Sequence, residues 1–265
     1  MSYCLSRTTP KRVKRNLLFE DCFYCFQEKY IMSKPLFVLL MGPQGAGKGE
    51  QAKFIRQQYG IPHVSTGDIF RGMKTREDDL ARQVQAIMAA GQLISDDLTN
   101  QVVADRLAQP DCANGVILDG YPRTPNQAAF LDAYLQERRQ ALKAVILLQV
   151  DPFTAFKRAF GRVTAANGDS YNIYYRADGL TIRHEKSPND EYPPKVVAVL
   201  PSGEVLKRRP DDADANAVIV RIETYLRDTQ PLIDYYAEKG SLLHRVDATQ
   251  PIEAVSQAIK TILDE

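Results

Sequence analysis

Tryptophan is absent from the 265 residues, and histidine (three) and cysteine (four) are scarce. Three of the cysteines, Cys4, Cys22 and Cys25, fall near the start and the fourth is Cys112, so no cystine framework runs through the body and a disulfide-stapled scaffold is excluded. Cys22 and Cys25 form a C-x-x-C, but no second pair or C-x-x-H follows and His63, His184 and His244 are scattered. A reduced-thiol segment is therefore preferred to a metal site. No apolar run approaches the ~20 residues that cross a bilayer; the longest are residues 36–41 and 144–148. Neither sign of charge dominates, with 34 Lys+Arg against 33 Asp+Glu, which excludes a polybasic nucleic-acid binder. With 44% hydrophobic residues the chain also stands outside the disordered and collagenous classes. At roughly 150 residues per domain the length allows one to two domains and burial of about three quarters of the unfolded surface. A soluble globular protein is expected.

Residues 1–33 differ from the rest. Arg7, Lys11, Arg12, Lys14 and Arg15 precede the first acid, Glu20, and no apolar stretch of about 7–15 residues with a cleavage signature follows, which argues against a secretory signal. Two readings remain: an Arg-rich targeting segment, or a disordered or untranslated extension with Met32 as the natural start. The second is preferred.

From Leu36 onward short apolar runs at 36–41, 115–118, 144–148 and 242–246 alternate with stretches long enough for crossover helices, the pattern of a parallel α/β sheet. Helical spacing is clear through Ile222, Tyr225, Leu226, Thr229, Leu232, Ile233 and Tyr236, and again through Ile252, Val255, Ile259 and Ile262. Between Arg162 and Arg209 this pattern breaks. Turn signals at Asn167-Gly168 and Pro201-Ser-Gly-Glu204 flank strand-like residues at 171–175 and 195–200, with a polar stretch at 176–191 between them, which reads as a small β-rich insertion.

Gly42-Pro-Gln-Gly-Ala-Gly-Lys-Gly49 follows the first strand and leads into a helix-like segment. Glycines let successive N–H groups and the helix N-terminus turn toward phosphate oxygens, while Lys48 supplies a cation to the β/γ region. The position after Lys48 ordinarily carries a Ser or Thr hydroxyl for magnesium; here it is Gly49, followed by Glu50, which fits a switch-type GTPase poorly. Asp119 closes an apolar strand at the C-terminal edge, where ligands of open α/β sheets bind. Arg71, past a Ser-Thr-Gly-Asp turn, has the fork geometry for phosphate capture.

Gly-Lys-Gly in the phosphate loop, His63-Val-Ser-Thr-Gly-Asp-Ile-Phe-Arg71, Met88-Ala-Ala-Gly-Gln-Leu-Ile-Ser95, Asp119-Gly-Tyr-Pro-Arg-Thr124, Arg158-Ala-Phe-Gly-Arg162, Arg209-Pro-Asp-Asp212 and Val246-Asp-Ala-Thr-Gln-Pro251 together resemble the adenylate kinases, from about Lys34 to the C-terminus. The resemblance implies an α/β P-loop three-layer fold with a parallel central sheet, a helical AMP-binding insertion and a small β-rich lid. It divides the chain into an N-terminal extension (1–33), a core (34–62, 95–160 and 213–265), an NMP-binding segment (63–94) and a lid (161–212). The implied reaction is ATP + AMP = 2 ADP, with Mg2+ carried on ATP and Asp119 reaching it through water rather than as a direct ligand.

By the same resemblance ATP meets Gly45, Ala46, Gly47, Lys48, Gly49, Glu50, Ser170, Tyr171 and Gln250, with Arg158 against its base and Arg162 on its phosphates. AMP meets Thr66, Arg71, Gln92, Leu93, Ile94, Gly120, Tyr121, Pro122 and Gln127, the last hydrogen-bonding its adenine. Lys48, Asp119, Arg123, Arg162, Arg209 and Arg221 form the catalytic set, with Arg123, Arg209 and Arg221 also on the AMP side. Lid landmarks recur at Pro193-Pro194-Lys195 and Ser202-Gly203-Glu204. The lid has no cysteine, so no Cys-bound zinc is expected there.

The implied partners are ATP, AMP and ADP, with no nucleic acid and no membrane. A cytoplasmic monomer is expected, or an organellar one if residues 1–33 are a targeting segment.

Departures are Glu50 in place of Thr or Ser, which would alter nucleotide or magnesium affinity, a stretch at 176–191 that looks inserted, Ala248 for a common Gly, and one extra residue between Asp212 and Arg221. A kinase for another nucleoside monophosphate (UMP/CMP) is the alternative enzyme, but its pyrimidine-specific members carry Ala where Thr66 stands, Asn where Thr124 stands, and a much shorter lid, so by the resemblance all three features point to adenine here. A nucleotide-binding module weakened by Glu50 and the altered lid is the alternative outside catalysis.

Overall fold

The computed structural model describes residues 35–89, 94–185, 195–209, 212 and 214–265. Readings on residues 1–33, Gln92, Leu93, Pro193 and Pro194 lie outside these.

The apolar runs form parallel strands β1 (Leu36–Met41), β3 (Gly115–Asp119), β4 (Leu142–Gln149) and β9 (Leu243–Asp247), joined by the short β2 (His63–Ser65) in a five-stranded sheet of order β2-β3-β1-β4-β9. Their continuous apolarity has a simple cause: both faces are covered. Phe37, Leu39, Met41, Leu118, Val145 and Leu147 pack on one face against α4 (Asp96–Leu107), α5 (Pro125–Glu137) and α7 (Ala215–Ala237). Val38, Leu40, Ile117, Ile146 and Leu148 pack on the other against α1 (Lys48–Tyr59) and α8 (Ile252–Asp264). These are the three expected layers.

Register decides where the chemistry lies. Leu40 pairs with Asp119 and Ser65 with Asp119, while Met41 pairs with Leu147, so the residues after β1, β2 and β3 emerge side by side at one edge of the sheet. The chain visits β2 and β3 on one flank of β1 and β4 and β9 on the other, so β1 ends at the reversal of strand order where open α/β sheets take ligands.

Two smaller apolar clusters stand apart from the sheet. Met73, Ala81, Val84, Leu98 and Val102 join α2 (Thr66–Met73), α3 (Asp79–Ala89) and α4. Val163, Ala165, Ile173, Ala198 and Leu206 hold together β5 (Arg162–Thr164), β6 (Ser170–Asn172) and the hairpin of β7 (Thr181–Glu185) with β8 (Lys195–Val199). α6 (Pro152–Phe160) leads into this region and packs Ala155 and Ala159 on Val218 and Ile222 of α7.

One local expectation is corrected. The strand-like residues at 171–175 leave the β5–β6 ladder after Asn172, because its carboxamide oxygen accepts the N–H groups of Tyr174 at 2.9 Å and Tyr175 at 3.2 Å and turns the chain. Within the polar stretch 176–191, Thr181–Glu185 is β7, antiparallel to β8 from Thr181↔Val199 to Glu185↔Lys195. Among the described residues no helix is long and apolar enough to cross a membrane.

Leu118 is fully buried in the middle layer. Leu118→Ala is expected to cost about 3 kcal/mol of unfolding free energy, read as a lower denaturant midpoint at unchanged slope; an unchanged midpoint would contradict the packing described.

Candidate active site

The loop after β1 wraps the start of α1 and packs tightly on its surroundings. Gly45 has φ +88, and a Cβ there would lie 2.2 Å from the Ala155 carbonyl oxygen of α6, so only glycine allows this close approach. Lys48 Nζ donates to the carbonyls of Gly42 at 2.8 Å and Pro43 at 3.2 Å and stands 3.9 Å from Asp119 Oδ1. Glu50 is exposed and pairs with Lys53 one turn on, at 3.1 Å, which gives the unexpected carboxylate a partner on the helix surface.

The cations gather around this loop. Burial pushes the Lys48 ammonium below its ordinary pKa; Asp119 opposes that shift, and Arg123, Arg162 and Arg221 reinforce it. Lost hydration lowers Arg123 as well, with Arg221 adding to the effect and Asp119 opposing it. Arg209 is lowered by desolvation and by Arg162, then by Arg71, with Asp212 and Asp68 opposing. Each cation thus senses the next, and the six residues of the expected catalytic set share one electrostatic field.

Arg162 and the phosphate loop are tied together by an acid whose role is not visible in the sequence. Asp212 is fully buried, accepts from Arg162 Nε at 3.0 Å and Nη2 at 2.5 Å, and accepts from the Gln44 amide of the loop. A buried carboxylate needs such partners. The only signal for it was an Asp three residues past Arg209.

On the β2 and β3 side, Gly120 has φ +76, and its carbonyl accepts the Thr66 hydroxyl at 2.8 Å and Arg123 Nε at 2.9 Å. A Cβ at Gly120 would come within 3.0 Å of Thr66 Oγ1, so the glycine keeps β2 and the Asp119 turn in contact. Thr66 is buried with its proton committed to Gly120, which leaves its hydroxyl oxygen as the acceptor. Arg71 pairs with Asp68 at 2.5 Å; Asp68 is held below the usual carboxylate range because Arg71, Ser65 and Arg209 together outweigh burial, which pushes the other way. Ser65 caps α2 through the Asp68 N–H. Tyr121 and Pro122 are buried; Tyr121 donates to Asn100 Oδ1 at 2.6 Å, so its side chain belongs to the core and only its backbone is offered to the cleft. Gln127 is 5% exposed and its amide is bonded to Asp96 and to the Arg123 N–H. His63 Nε2 lies 3.4 Å from Asp119 Oδ2, a neighbour that the sequence gave no reason to single out.

On the β4 and β9 side, Arg158 donates to the Ala248 carbonyl at 2.6 Å and Gln250 to Asp247 at 3.0 Å, which joins α6 to the loop after β9. Asp247 is held down to about 2 by bonds from Thr249 and Gln250. Ser170 and Tyr171 pair with Thr164 and Val163, in the strand that begins at Arg162. Ile94 is half-buried against the α2–α4 cluster. Among the described residues there is no group of three or more His, Cys, Asp or Glu that could hold a metal ion.

A glycine loop at a helix start, facing a ring of arginines from several elements and one acid at a strand end, defines a P-loop protein that handles phosphate groups. Comparison with known proteins narrows the class. The profile of the family described as Adenylate kinase matches residues 40–241. An adenylate kinase from Clostridium tetani is 39% identical over 227 residues, spanning 85% of this chain and 97% of the relative. One from Acholeplasma laidlawii is 40% identical over 230 residues, spanning 86% and 98%, and one from Thermotoga neapolitana is 39% identical over 229 residues, spanning 85% and 96%. The chain belongs to the adenylate kinase family.

Burial and three arginines disfavour the charged form of Lys48, so what its charge costs the fold is fully present below the folded pKa, declines as pH rises, and is gone above the unfolded pKa of lysine. Lys48→Met is therefore expected to leave the unfolding temperature of the nucleotide-free protein unchanged or raised while phosphate transfer falls by about 10³ or more. A sharp fall in that temperature would show that the lysine holds the fold rather than the phosphates.

Proposed function

We propose that the chain catalyses the reversible transfer of the terminal phosphate of ATP to AMP, giving two ADP. The observation that supports this is the group of cations Lys48, Arg123, Arg162, Arg221, Arg209 and Arg71, each within electrostatic reach of another, beside the sheet edge where β1 and β3 end. Cations in that number suit an acceptor that is itself a phosphate.

In this reading ATP lies over Gly45, Ala46, Gly47, Lys48, Gly49 and Glu50, its base between Arg158 and the Gln250 loop and its outer face toward Ser170 and Tyr171. AMP lies over Thr66, Arg71, Ile94, the Gly120-Tyr121-Pro122 turn and Gln127. Residues 34–62, 95–160 and 213–265 act as the core, 63–94 as the AMP segment and 161–212 as the lid. The separate apolar cluster of the β5–β8 region supports the lid division, while α4 packs on both the sheet and the α2–α3 cluster.

The acceptor oxygen of AMP needs no general base. A phosphate monoester has a second pKa of about 6 and is already anionic at neutral pH. That oxygen attacks the γ-phosphorus, the bond to the β–γ bridging oxygen breaks, and its electron pair leaves on ADP. The chain's task is to hold the two phosphate groups in line and to neutralise charge on the transferring group. Lys48 and Arg162 address the donor phosphates, Arg123 both chains, and Arg209, Arg221 and Arg71 the acceptor side. β5–β8 folded over the cleft would exclude water as a rival acceptor.

The donor set for magnesium is a single carboxylate, Asp119, 3.9 Å from Lys48 and among cations. That fits a hydrated ion delivered on the nucleotide, held by Asp119 through water, better than a metal caged by protein. When bound, the ion supplies charge neutralisation to the β- and γ-phosphates.

ATP offered with AMP, UMP, CMP or GMP in turn, with diphosphates quantified, is expected to give product with AMP. Tight ATP binding without transfer to any acceptor would favour a binding module. Arg123→Ala is expected to lower kcat by about 10³ with the unfolding temperature nearly unchanged; near-normal turnover would remove Arg123 from the catalytic set.

A further inference from the structure

The amide of Gln127 is fastened on both sides. Its Nε2 donates to Asp96 Oδ1 at 2.6 Å and its Oε1 accepts the Arg123 N–H at 2.8 Å. The other oxygen of Asp96 accepts the Thr124 hydroxyl at 2.7 Å, and that hydroxyl oxygen accepts the Gln127 N–H at 3.2 Å as the N-cap of α5. Asp96, the first residue of α4, therefore accepts from two donors that belong to the start of α5.

A primary amide is ordinarily ambiguous, because rotating it by half a turn exchanges carbonyl for NH₂. Here that rotation would aim a carbonyl oxygen at a carboxylate and an NH₂ at a backbone N–H, exchanging two bonds for two repulsions. The chemistry of the neighbours thus fixes which atom is which. An amide oxygen has two lone pairs and an NH₂ two hydrogens. Among the described residues the fastening uses one of each, which leaves the amide one acceptor and one donor for a base.

A 6-aminopurine presents a ring acceptor at N1 and a donor at N6, the complement of that remaining pair. A 6-oxopurine presents the reverse, N1–H and O6, in the same places. A free glutamine would read either base by turning over; a fastened one reads only one without losing both internal bonds.

We infer that Asp96 is a specificity-determining positioning residue, which locks the Gln127 amide in the orientation that accepts a 6-aminopurine and rejects a 6-oxopurine at the acceptor site. The inference rests on the reading that Gln127 faces the acceptor base. Thr124 is the brace: its hydroxyl holds the far oxygen of Asp96, so the carboxylate cannot swing away from the amide.

The test compares AMP with IMP as acceptors for ATP, because hypoxanthine reverses the hydrogen-bond pattern without adding the 2-amino group of guanine. Asp96→Asn keeps the shape, but its own amide can face Gln127 with either atom. The AMP:IMP ratio of kcat/KM is expected to fall by at least about tenfold, the factor that one charge-assisted hydrogen bond corresponds to. The change should lie mainly in the acceptor KM, with the KM for ATP affected much less. Thr124→Val should move the ratio in the same direction by less, and Thr124→Ser should restore it. A folded Asp96→Asn protein with the parental ratio overturns the lock; if that variant does not fold, a parental ratio in Thr124→Val does so. Gln127→Ala keeps the two levels apart: an unchanged KM for AMP would overturn the base contact itself. A raised KM for AMP there, beside a parental ratio in Asp96→Asn, would overturn only the lock.

Discussion

The cleft is organised by mutual repulsion. Burial lowers the basicity of Lys48, Arg123 and Arg209, and neighbouring cations add to it: Arg123, Arg162 and Arg221 at Lys48, Arg221 at Arg123, and Arg162 and Arg71 at Arg209, with Asp119, Asp212 and Asp68 opposing. Like charges held at such distances raise the energy of the fold unless anions answer them. In the proposed function polyphosphate is that answer, and the same field that draws in the substrates would stabilise the charge on the transferring group.

Holding cations together requires rigid supports, and the sheet provides them. β1, β2 and β3 end in register, so the phosphate loop, Thr66 and Asp119 project from one edge with no adjustable linker between them. Gly45 and Gly120 let backbones approach where any side chain would intrude. The buried Asp212 performs a related task for the β5–β8 region, since it fastens Arg162 to the phosphate loop through Gln44. A movement of either element is thereby transmitted to the other.

Much of this was legible in the sequence, for physical reasons. Strands buried on both faces must be apolar throughout, so β1, β3, β4 and β9 were marked by composition: β1 with its observed bounds, β3 short by Asp119, β4 short by Leu142, Lys143 and Gln149, and β9 displaced by one residue. The phosphate loop is readable because its glycines and lysine are local in sequence and their function needs that spacing. β2 was not readable: three residues, His63-Val-Ser65, carry no periodicity, and they form a strand only because β3 offers an edge. β7 was not marked within the polar stretch because Thr181-Ile-Arg-His-Glu185 is polar and mostly exposed, and its pairing with β8 is set by the fold. Asn172 ended a strand by a side-chain bond that the sequence allows but does not announce. In the candidate site the motifs mark local runs of residues, whereas the pairings of Gln44 with Asp212 and of Asp96 with Gln127, each across more than thirty residues, emerged from the fold.

The account stands or falls on two nucleotides sharing this one cationic cleft end to end. Its most direct measurement is calorimetric titration of ATP and of AMP into protein already saturated with a dinucleotide of two adenosines bridged by five phosphates. The bridged compound should bind one to one and abolish both heats. Displacement of ATP binding alone, with AMP still binding at full stoichiometry, would contradict a shared cleft.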